Sequence, residues 1–194
     1  MGEIINSYKE GWSIFVSSLA VNLYTATNVV VLGMLTNNVI VGYYSAADKL
    51  IICVRRGIYA VSDAIYPFIS KMMKDDIPKG LQFIKKQLFL YLIIGVVGCA
   101  SLFFFSDTIV RLLFGADYDL TVDVLRILSF VPLAVAISTV FGEETMLPLN
   151  MNSAYSRTLV LGAFFSLISI FPLCYLWGAK GVAITMLLTE FLIM

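Results

Sequence analysis

Apolar residues run along this chain in six stretches, at about 12–35, 41–70, 88–105, 124–141, 159–177 and 180–194, with short polar segments between them. A helix needs ~20 such residues to cross a bilayer, so the first five runs are predicted as full spans. The last turn begins at Ala179 and leaves sixteen positions to the final residue. That is roughly 24 Å of helix, against a hydrocarbon core of ~30 Å. The chain is therefore expected to stop inside a span. The pattern predicts an all-α integral membrane protein, a six-helix bundle over residues 1–194 with about five complete spans and a truncated sixth. Thr36-Asn37-Asn38 reads as a tight turn, Pro78 and Gly80 as breakers, and Pro132 and Pro172 as kinks within spans.

One run departs from the apolar pattern. Residues 41–72 carry Asp48, Lys49, Arg55, Arg56 and Asp63, charges that a lipid-facing helix does not tolerate cheaply. At ~100° per residue, Asp48, Arg55, Tyr59, Ser62 and Tyr66 form one stripe, with Lys49, Arg56 and Asp63 on the stripe beside it. Leu50, Val54, Ile58, Val61, Ile65 and Phe68 occupy the other side. No acid and base on this helix are three or four residues apart, so its charges cannot neutralise one another locally. Their partners must be other helices, water or a ligand. Glu190, Glu143 and Glu144 are the internal candidates. Two readings follow: a structural ion-pair network, or a wet cavity that three bases and two acids leave positive by one charge.

Composition agrees with the membrane reading. Hydrophobic residues make up 60% and charged residues 13%, and mean hydropathy is +0.92. Soluble domains carry roughly 25% charged residues. Net charge is zero, which gives no general attraction to nucleic acid, and none is expected as a partner. There is no histidine, and Cys53, Cys99 and Cys174 sit in apolar runs without metal-ligand spacing. No cofactor, metal or catalytic residue is expected, and the longest connection, 106–123, offers only scattered aspartates to a membrane enzyme. Lys71, Lys74, Lys79, Lys85 and Lys86 mark the connection after the second run as cytoplasmic. Alternation puts Lys9 and Arg157 on that side too, leaving Arg111, Arg126 and Lys180 opposite, seven against three. A cytoplasmic N-terminus follows.

In the first run, Ser18, Asn22 and Thr25 share a face, either as glue between helices or as cavity lining. On the charged helix, the adjacent forks of Arg55 and Arg56 match phosphate oxygens. Tyr44, Tyr59 and Tyr66, beside Asp48 and Ser62, suit the flat faces and rim hydroxyls of sugars. An anionic, sugar-bearing ligand fits these residues better than a hydrophobic cation does.

The segments KEGWSIFVSSLAVNLYTATNVVVLG, VGYYSAADKL, AIYPFISKM, GADYDLTVDVLRILSFVPL and KGVAITMLLTE, in that order, resemble the second half of the Wzx-type O-antigen flippases. These belong to the polysaccharide transporter branch of the MOP superfamily, with a MATE-like fold of twelve spans in two six-helix bundles. The resemblance implies that this chain corresponds to the second bundle, with the first missing. It implies flipping of undecaprenyl-diphosphate-linked O-antigen repeat units across the bacterial inner membrane, among membrane lipids, with an N-terminal half and polysaccharide polymerase machinery as partners. It carries substrate-binding roles to Asp48, Lys49, Arg55, Arg56, Asp63, Tyr59, Tyr66, Asn22 and Asn28, and an ion-coupling or charge-partner role to Glu190. The alternatives are a drug or lipid exporter of the same superfamily, or a non-functional remnant of a broken reading frame.

Overall fold

The computed structural model describes the backbone of residues 2–194 and the side chains of residues 11, 12 and 15–194. Lys9, counted above for orientation, lies outside the described side chains. The chain is all helical in its ordered elements: α1 Gly2–Leu35, α2 Asn38–Asp75, α3 Ile77–Phe104, α4 Ser106–Phe114, α5 Asp119–Leu128, α6 Val131–Phe141, a π-helical turn Gly142–Met146, α7 Asn152–Trp177 and α8 Ala179–Ile193. Four segments among the described residues are long and apolar enough to cross a membrane: Phe15–Leu35, Ile77–Phe104, Asp119–Met146 and Asn152–Trp177. Their outer faces expose Leu90, Ile94, Val97, Leu161, Phe164 and Ile168, which suits lipid and not water. This is a multi-pass membrane protein.

Helix ends are set by local chemistry. Asn37 caps α2, its side-chain oxygen accepting from the Ile40 N–H at 3.0 Å. Asp76 ends α2 and starts α3 in a single extended residue, φ −157°, and accepts from the Lys79 N–H at 3.2 Å. The Lys79 ammonium also bonds Asp76, at 2.9 Å. These two bonds hold the Asp76 carboxyl below its usual range. The lysine-rich connection, expected to be broken by Pro78 and Gly80, is therefore nearly all helix. A first-turn proline has no N–H that the helix would use, so Pro78 opens α3 and does not end it.

The fourth apolar run is in two pieces, α5 and α6, interrupted at Ser129–Phe130, with Pro132 in the first turn of α6. Residues 106–114, expected as loop, form the amphipathic α4, joined to α5 by Arg111, which bonds Asp107 at 2.8 Å and Asp119 at 3.3 Å. Asp123 on α5 pairs with Lys180 on α8 at 2.7 Å.

Packing is chiefly α1 on α7, α7 on α8, α2 on α5 and α3 on α6. Leu32, Tyr44, Ala47, Ile51, Val124, Leu125, Leu128, Val182 and Met186 form the main apolar core. It fills the bundle around the end of α1, the first half of α2, α5 and α8. The stretch of α2 from Tyr59 to Tyr66 is left beside open space, and beyond it Ile69 and Met73 pack with Ile84 and Val140 in a second cluster.

Candidate functional site

That space is a cavity of about 550 Å³. α1 contributes Ser17, Ser18, Val21, Asn22 and Tyr24, and α2 contributes Tyr59, Ser62, Asp63 and Tyr66. Ser138 and Thr139 come from α6, Glu143 from the π-helical turn, Tyr155 and Leu159 from α7, and Glu190 and Ile193 from α8. The polar face expected on α1 is thus partly engaged here. Ser18 and Asn22 line the cavity, whereas the Thr25 hydroxyl turns back to the Val21 carbonyl at 2.8 Å.

The charged stripe of α2 divides at Arg55. This residue is buried, and its Nη2 lies 3.3 Å from Glu190 Oε1 on α8. The same guanidinium donates to the Tyr59 hydroxyl at 3.4 Å, and Tyr24 of α1 donates to Glu190 Oε1 at 3.1 Å. One buried network therefore ties α1, α2 and α8 together, and it consumes the arginine as the counter-charge of Glu190. Such a pair is stable in a bundle interior only when charges and hydrogen bonds are both matched, as here.

Of the residues expected to bind ligand, Asp63, Tyr59, Tyr66 and Asn22 meet in the cavity, together with Glu190, expected as an ion-coupling or charge partner. Asp48, Lys49, Arg55, Arg56 and Asn28 are not among its lining residues. Lys49 and Arg56 are exposed elsewhere on α2, and Asn28 is buried. The positive cavity expected from the sequence is not what forms: among the described residues, the lining holds the carboxylates of Asp63, Glu143 and Glu190 and no lysine or arginine. The physical reason is packing. The first half of the α2 stripe, with Tyr44 and Ile51, is covered by α5 and α8, so only the stretch from Tyr59 to Tyr66 faces open space.

Glu143, Tyr155, Ser138 and Thr139 were not singled out as ligand contacts. Tyr155 donates to Glu143 Oε1 at 3.4 Å. Its ring also lies flush on Gly142, where a Cβ would come within 2.7 Å of it. The pair of acids ending an apolar run was the available signal.

Fold and cavity together define a helical membrane protein with a polar chamber inside its bundle. A family model for polysaccharide biosynthesis proteins matches residues 2–73. The chain is 32% identical over 190 residues to a putative O-antigen transporter of Shigella dysenteriae, covering 98% of this chain and 47% of that protein. It is 33% identical over 187 residues to a putative O-antigen transporter of Escherichia coli strain K12, covering 96% of this chain and 45% of that one. A capsular polysaccharide biosynthesis protein of Staphylococcus aureus is 27% identical over 180 residues, 90% of this chain and 44% of its own length. No solved structure matches the chain. The chain is thus similar over nearly its whole length to proteins named for O-antigen transport, the group its motifs resemble, and it spans about half the length of the relatives it matches.

Proposed function

We propose that this chain is one bundle of a transporter that moves undecaprenyl-diphosphate-linked polysaccharide repeat units across the inner membrane, with its N-terminus cytoplasmic and with α2 and α8 completing six spans. The observation that carries the reading is the composition of the cavity. Hydroxyls of Ser17, Ser18, Ser62, Ser138 and Thr139, the Asn22 amide and four tyrosines, Tyr24, Tyr59, Tyr66 and Tyr155, line a chamber between otherwise apolar helices. Tyrosine faces stack on the apolar faces of sugar rings, while carboxylates and hydroxyls accept and donate at their rims. In this reading the cavity takes the saccharide. The diphosphate meets Arg56 and Lys49, two cations of the same helix that are exposed outside the cavity. Asp48 and Asn28 then support the helix packing around Arg55, which is held by Glu190.

In the native host, Asp63→Asn and Tyr155→Phe are each expected to reduce surface polysaccharide up to about tenfold at unchanged protein level, since one lost hydrogen bond is worth ~1 kcal/mol and 1.4 kcal/mol is tenfold. Immunoblots of surface polysaccharide check this. Undiminished polysaccharide in both variants sinks the saccharide assignment.

The absence of lysine and arginine from the lining favours a second reading, an exporter of an organic cation. In that case both variants would leave surface polysaccharide intact and sensitise cells to cationic compounds.

A further inference from the structure

The π-helical turn sends two consecutive carboxylates to different places. Glu143 faces the cavity, whereas Glu144 is fully buried. Its Oε1 accepts from the Ser62 hydroxyl of α2 at 2.8 Å. Its Oε2 has no hydrogen-bond partner among the described residues. From α3 the Gln87 side chain lies beside it, with the Tyr91 hydroxyl near. On its own turn stands Glu143, which faces Asp63 of α2 and takes the hydrogen bond from Tyr155 of α7. From α6 the Val140 carbonyl accepts from the Thr145 hydroxyl, and the Ser138 and Thr139 carbonyls accept from the Gly142 N–H. None of these is a cation, and none of the ion pairs among the described residues includes Glu144.

An ionised carboxylate in such a place costs several kcal/mol, and in practice a buried acid without a counter-charge keeps its proton instead. Glu190 is the internal contrast. It is buried nearly as deeply, yet Arg55 and Tyr24 both reach its Oε1, so it can stand as the ion. Glu144 also has a way out, because Ser62 both touches it and lines the cavity.

We propose that Glu144 is a proton-binding site, neutral in this conformation, that exchanges its proton with water in the cavity by way of Ser62. For release the acid O–H turns onto the Ser62 oxygen: that bond breaks as an O–H bond forms on Ser62, whose own proton passes to cavity water as hydronium, and the carboxylate is left accepting from the Ser62 hydroxyl. It stands whether the cavity holds a saccharide or a cation, because it depends only on the buried acid and its link to the chamber.

Infrared difference spectroscopy of the purified chain in lipid bilayers tests it. At neutral pH the wild type should show a protonated-carboxyl C=O band that Glu144→Gln removes and Glu143→Gln keeps. Glu144→Asp, which retains the acid if the glutamine variant fails to fold, should shift the band. In D2O, Ser62→Ala should slow exchange of that band severalfold. A band unchanged by Glu144→Gln, or shifted by neither variant, overturns the assignment. Exchange in Ser62→Ala as fast as wild type overturns the route through Ser62. No band at neutral pH overturns the whole proposal.

Discussion

Glu190→Ala is expected to destabilise the bundle by about 3–5 kcal/mol, the usual cost of removing one partner of a buried ion pair. Arg55 is only 8% exposed and would be left charged, with the Tyr59 hydroxyl at 3.4 Å as a neutral hydrogen-bond partner in place of a carboxylate. Tyr24 would lose its acceptor at the same time, so α1 as well as α2 would come loose from α8. Arg55→Ala should cost a similar amount from the other side. The diagnostic variant is the double one, Arg55→Met with Glu190→Leu. Apolar residues of similar volume often replace a buried pair at little cost or with a gain, so the double variant should unfold closer to the wild type than either single change. Thermal unfolding of the three variants in detergent and in bilayers measures this. Single variants as stable as wild type would mean that water, not Glu190, holds the Arg55 charge.

That pair also shows how far the chain could be read in advance. The absence of any acid–base spacing of three or four on the charged helix requires partners from elsewhere, and Glu190 was one of three acids placed in apolar surroundings. Periodicity locates the stripe from Asp48 to Tyr66 because a helix repeats every 3.6 residues. It does not say that α5 and α8 cover the stripe as far as Arg55 and leave Tyr59 onward open. The sign of the cavity does not follow from the sequence for that reason: a count of charges along a helix takes no account of which half is buried. Glu143 and Glu144 stand together in the sequence as candidate internal partners, two adjacent acids after Phe141 that end the apolar pattern. A π-helical turn, which separates them into cavity and interior, leaves no periodic trace in five residues. The Asp76 cap escaped notice for a related cause. Pro78 and Gly80 look like breakers until a cap two residues earlier makes them the opening turn of the next helix.

Gly181→Ala is expected to disrupt the α7–α8 hairpin, while Gly98→Ala is expected to be neutral or mildly stabilising. The contrast is geometric. A Cβ on Gly181 would overlap the carbonyl carbon and oxygen of Leu173 and come within 3.0 Å of the Cys174 nitrogen, all backbone atoms of α7. A side chain can turn aside, but a helix backbone must translate. Ordinary overpacking costs about 1–3 kcal/mol, and this site should lie at or beyond the upper end of that range. Gly178, with φ 55° and ψ −130°, makes the one-residue turn between the helices and fixes how close they start. Moving α8 outward would draw Glu190 away from Arg55 and Tyr24, so the loss should combine a packing penalty with part of the ion-pair penalty. Gly98 is exposed on α3 and has nothing within 4 Å of the added carbon. Alanine there removes a residue that costs a helix up to about 1 kcal/mol. Yield of folded protein and unfolding temperature, measured for both variants in the same detergent, separate the two cases. Gly181→Ala that unfolds with the wild type would show that the α7–α8 crossing can widen without loss, and that the burial of Arg55 does not depend on it.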